Sequence, residues 1–121
     1  MVILVHGELI NLEFIYNISP VQSTRKVTIS PRTALERAVE AKNPDEFIKT
    51  VALGFIIKFV NNNNITISFE GDDYYKGNTW FRQDIYESKL KELKDKVEKL
   101  RDELVLYWNS HHSITVKLEL N

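Results

Sequence analysis

A chain of 121 residues with 43% hydrophobic content is long enough for one small core and short for two. Sixteen basic against seventeen acidic residues leave a net charge of −1, which excludes a general electrostatic pull toward nucleic acid or an anionic membrane. The absence of cysteine excludes disulfides, thiolate metal sites and thiol nucleophiles together.

Val2 to Val5 is a short apolar run, and His6, Gly7 and Glu8 read as a turn. Ile10, Leu12, Phe14, Tyr16 and Ile18 then alternate with Asn11, Glu13 and Asn17, which predicts a half-buried strand ended by Ser19-Pro20. Arg25 to Ile29 reads as a second strand running into Ser30-Pro31, a pair suited to N-cap and first turn of a helix over Pro31 to Lys42 with Leu35, Ala38 and Val39 inward. Asn43-Pro44 repeats that grammar. Phe47, Ile48, Val51, Ala52, Phe55, Ile56, Phe59 and Val60 recur in pairs four apart, so the preferred reading is a second, buried helix to about Val60. The rival reading stops that helix at Gly54 and makes Phe55 to Val60 a strand, turned by Asn61 to Asn64 into the strand Ile65 to Glu70. No window approaches the ~20 apolar residues that cross a bilayer, and no basic leader precedes the first strand, so a soluble, cytoplasmic protein is expected.

The strongest signal is Arg82 to Asn109, free of Gly and Pro. Tyr86, Leu90, Leu93, Val97, Leu100, Leu104 and Tyr107 form a seam with alternating steps of four and three, the a and d positions of a coiled coil. That seam suits a homodimer; the competing reading packs it over the chain's own sheet. Ile114, Val116, Leu118 and Leu120 alternate with polar residues and predict a last strand. The expected fold is therefore one α+β domain over residues 1–121: a mostly antiparallel or mixed sheet of four or five strands, two short helices, and a long amphipathic C-terminal helix at about 82–109 followed by a final strand.

Between the last inner strand and the long helix, Asp72, Asp73, Tyr74, Tyr75, Lys76, Trp80 and Phe81 gather in one loop whose rings offer rigid contact area to a partner. Arg25, Lys26 and Arg32 make the one local basic excess, near a helix start where backbone amides favour an anion, and give a candidate phosphate contact. Glu70, Asp72 and Asp73 would be the carboxylates of a metal-dependent nuclease, but adjacent acids on a turn are a nonspecific cue. His6, His111 and His112 have no zinc-site spacing, and no nucleophile elbow or Gly-rich phosphate loop exists. The sequence reading is thus a non-enzymatic homodimeric protein-interaction module without metal or cofactor. Its wealth of Ile, Lys and Asn suits an AT-rich genome, with a viral or phage accessory protein as the suggested setting. A nucleic-acid-binding protein is second and a nuclease third.

Overall fold

The computed structural model describes residues 2–31, 33–71 and 83–120. The chain is α+β, and its described residues form a two-stranded hairpin, a four-stranded antiparallel sheet and two α-helices, the second of them long. β1 (Val2–Val5) and β2 (Glu8–Asn11) pair in the register Ile3↔Ile10, Leu4↔Leu9 and Val5↔Glu8. His6 (φ 46°) and Gly7 (φ 82°) are the two central residues, and positive φ at both is what a tight two-residue hairpin turn with the correct twist demands.

The alternation expected to continue through Ile18 is interrupted. Asn11 accepts a hydrogen bond from the Glu13 amide (3.1 Å) and caps a 3-10 turn at Leu12–Phe14, after which β3 (Ile15–Ile18) restarts with a bulge beside Tyr16. The phase of the side chains shifts with it. Ile10, Leu12, Ile15 and Ile18 are buried, while Phe14 and Tyr16, expected inward, are 53% and 71% exposed.

β4 (Gln22–Thr28) leads to α1 (Ala34–Lys42). The cap is Thr33 rather than Ser30: its hydroxyl accepts from the Glu36 amide at 3.1 Å, and Thr33-Ala-Leu-Glu36 has the spacing of a capping box. None of α1 is buried, so the expected inward face of Leu35, Ala38 and Val39 does not form, and Leu35 is 76% exposed.

The expected second helix is also replaced. A 3-10 turn at Pro44–Phe47 passes directly into β5 (Ile48–Phe59), twelve residues with Gly54 in mid-strand. Val51 through Phe55 are all buried: Leu53 and Phe55 face the core under α2, while Ala52 and Gly54 on the other face are small and lie beneath side chains of the flanking strands, so the segment reads as a continuous apolar run rather than an alternation. The Asn turn does behave as the rival reading required: Asn62 takes φ 70°, the Phe59 amide donates to the Asn63 carbonyl (2.9 Å), and β6 (Asn64–Glu70) returns along β5. β3 and β4 follow one another along the other edge of β5. Ser19 bridges the gap between them, its amide donating to Ile56 O (2.9 Å) and its hydroxyl accepting from the Ile56 amide (2.8 Å).

α2 (Gln83–Leu120) lies across the face of the sheet that carries Leu53, Phe55, Ile57 and Ile67. Its backbone stays helical where a final strand was expected. No Gly or Pro interrupts it, and extending a helix fixes one residue per hydrogen bond gained, whereas a new strand needs a sheet edge. The inward residues of the hairpin, Val5 and Ile10, join the same core.

Candidate functional site

The helix seam is occupied by the chain itself. Val97 and Leu104 are each 2% exposed within the core, and Leu90, Leu93 and Leu100 pack partly buried against it. Two polar contacts fix the helix lengthwise. Near its start the Tyr86 hydroxyl donates to Thr50 O at 2.9 Å, with Lys49 Nζ 5.8 Å from the ring centroid. Farther along, Arg101 donates through Nε to Ser19 O (2.6 Å) and through Nη2 to Ile18 O (3.2 Å), closing the break between β3 and β4. Burial raises the Tyr86 pKa above the ordinary 10.0, and the Glu87 carboxylate pushes the same way. Tyr107, at the far end of the seam, is 57% exposed. The outer face of α2 carries ion pairs such as Lys89–Glu92 (3.6 Å) and Lys94–Glu98 (3.9 Å) and reads as solvated.

The candidate phosphate contact is not assembled among the described residues. Arg25 forks onto Glu70, Nε to Oε1 at 3.1 Å and Nη2 to Oε2 at 2.6 Å. The two side chains reach each other from β4 and β6 across Ala52, which pairs with both in register and is fully covered. Lys26 is exposed on β4, and Arg32 lies outside the described residues. Glu70 therefore spends its charge on Arg25, and Asp72 and Asp73 also lie outside the described residues. Among the described residues no cluster of three or more His, Asp or Glu is placed to hold a metal ion. Tyr74, Tyr75, Lys76, Trp80 and Phe81 share that position outside the description. His6 does its work in the hairpin turn, its ring centroid 4.2 Å from that of Phe69.

Sequence reasoning missed the outer face of the hairpin. Leu4 and Leu9 stand directly opposite one another, 68% and 73% exposed, with Val2 on the same face at 58%. A one-sided antiparallel strand normally turns polar residues outward. Four consecutive apolar residues at 2–5 were the signal, because any strand of four such residues must present two of them to each side.

Comparison with family models, curated proteins and solved structures finds no match to this chain. No helix among the described residues is long and apolar enough to cross a membrane.

Proposed function

We propose that the protein is a non-enzymatic protein-interaction module that pairs with a second copy of itself through the outer face of the β1–β2 hairpin. The observation that carries this reading is the cross-strand pair Leu4–Leu9 with Val2, an apolar and exposed patch on the outer face of the hairpin, where an antiparallel strand ordinarily presents polar residues. The inner face is already packed against the core. A second hairpin laid on the outer face gives an isologous contact, the commonest symmetry of soluble oligomers, and meets apolar with apolar. Val97 and Leu104 of the helix seam are covered inside the chain, which supports the hairpin over α2 as the dimer contact. The aromatic loop from Tyr74 to Phe81 remains the proposed contact to a different protein on the strength of its composition.

Size-exclusion chromatography with light scattering tests the pairing. The expected result is twice the chain mass of 14.2 kDa for the native sequence and a folded monomer for the Leu4→Glu/Leu9→Glu variant, with unchanged circular dichroism. A native chain that stays monomeric at tens of micromolar overturns it.

A further inference from the structure

The outer edge of β6 is open, and its sequence is complementary to itself. In the β5–β6 ladder the Gly71 amide donates to Val51 O (2.8 Å) and the Phe59 amide to Asn63 O (2.9 Å), so the odd-numbered residues of β6 bond to β5. The backbone N–H and C=O of Thr66 and Ser68 point the opposite way, and among the described residues they have no hydrogen-bond partner. We propose that β6 pairs antiparallel with β6 of a second copy, centred on Ile67, so that the two four-stranded sheets run on into one. The inference rests on the self-pairing proposed above and supplies the strand contact of that dimer.

Three observations choose this partner. First, the register about Ile67 satisfies both copies at once. It sets Thr66 opposite the partner's Ser68 and Ser68 opposite the partner's Thr66, so each free N–H meets a free C=O and every such pair closes two hydrogen bonds. It also sets Ile65 against the partner's Phe69, a β-branched and aromatic pair at the closer, non-hydrogen-bonded spacing, and both residues are only partly buried within one chain. Glu70 falls opposite the partner's Asn64 rather than a like charge. Second, the edge carries none of the features that keep sheet edges apart: Asn64–Glu70 has no Pro, Lys or Arg, and β6 follows β5 without a register shift. β4, by contrast, is guarded by Arg25, Lys26 and two register shifts. Third, the hairpin lies along β6. The Phe14 carbonyl accepting from the Val60 amide (2.9 Å) holds its root beside the β5–β6 turn, and the His6 ring against that of Phe69 (4.2 Å between centroids) holds its tip near the far end of the strand. Directly opposed residues of an antiparallel pair share a face, so this two-fold brings the two hairpins side by side over the joined sheet.

Two measurements test it. Thr66→Pro removes an amide hydrogen that the single chain leaves unbonded, a position where an edge strand tolerates proline, and it takes a donor out of both Thr66–Ser68 pairs. Light scattering is expected to read 14.2 kDa for this variant and twice that for the native chain, with unchanged circular dichroism. In the native chain the Thr66 and Ser68 amides should exchange about tenfold or more slowly in the dimer than after dilution to the monomer, a measurement that needs no variant to fold. A folded Thr66→Pro dimer, or Thr66 and Ser68 amides as fast in the dimer as in the monomer, overturns the edge pairing and leaves the hairpin contact standing. Amides already slow in the monomer overturn it as well, since the edge would then be covered within one chain. A Leu4→Glu/Leu9→Glu chain that still dimerises while Thr66→Pro does not supports the edge and overturns the hairpin contact.

Discussion

At the scale of single residues, the sheet depends on two small side chains in the middle of β5. Ala52 and Gly54 leave room for partners on the flanking strands to meet over them: Arg25 with Glu70 across the first, and the Thr24 and Ser68 hydroxyls, 2.6 Å apart, near the second. Gly54 is the tighter of the two. A Cβ there would lie 1.9 Å from the Ile67 carbonyl oxygen and 3.0 Å from Ser68 Cα, both backbone atoms that move only if β5 and β6 part. Gly54→Ala is expected to lose at least about 3 kcal/mol, the upper end of ordinary overpacking, read as a lower urea midpoint. Gly71→Ala, where the nearest atom is Val51 O at 3.3 Å, should cost far less. The Arg25–Glu70 fork is half exposed, so Arg25→Gln is expected to cost no more than about 1 kcal/mol. Tyr86 makes a prediction about pH. Its pKa is raised in the fold by burial, so both states are protonated below 10.0; as pH climbs past that value the unfolded chain ionises first and stability drains away until the folded Tyr86 ionises too. Tyr86→Phe lacks this term and the hydrogen bond to Thr50 O. The native chain should therefore be the more stable at neutral pH by about 1 kcal/mol, and the gap should shrink in denaturation curves taken above pH 10.0.

At the scale of elements, the periodic face of α2 was legible and its cover was not. A step of four and three names the residues that turn inward, Val97 and Leu104 among them, but the same pattern serves a partner helix and an underlying sheet equally. The fold class, the Ile65–Glu70 strand and the long helix could be read for the same reason: each has a clean period. The elements that went unread have none. β5 carries small apolar residues, Ala52 and Gly54, where an exposed face would show polar ones, so no period-two alternation survives in its middle, and the Leu12–Phe14 turn adds a step that resets the alternation without any Gly or Pro to announce it. The candidate sites fared similarly, since composition places Arg25 near other cations in sequence while only three-dimensional register reveals Glu70 across Ala52. Substitution separates the two roles of the seam. Leu104→Ala is expected to cost about 2–5 kcal/mol, as for any buried leucine, at a chain concentration low enough to keep the protein monomeric. Tyr107→Ala should cost less than about 0.5 kcal/mol. A Leu104→Ala cost that appears only at concentrations where the chain associates would instead assign the seam to an intermolecular contact.

At the scale of the whole molecule, stability is distributed along a gradient that follows burial. β5 is held on both edges, by β3 and β4 on one side and β6 on the other, and is covered by α2 and the hairpin. Opening its backbone requires most of the core to open with it. α1 sits at the other extreme: nine residues, none buried, anchored by a cap at one end and a turn at the other. Local opening of such a segment disturbs few apolar contacts and proceeds at a small fraction of the global free energy. Native-state amide exchange should therefore show the amides of Val51 to Ile57 exchanging only through global unfolding, while those of α1 exchange through local opening orders of magnitude faster. The two elements should also respond differently to mild urea. The slow amides of β5 will accelerate steeply because their opening exposes the core, and those of α1 will barely change because almost nothing new becomes exposed. If α1 instead shared the denaturant dependence of β5, it would belong to the same cooperative unit.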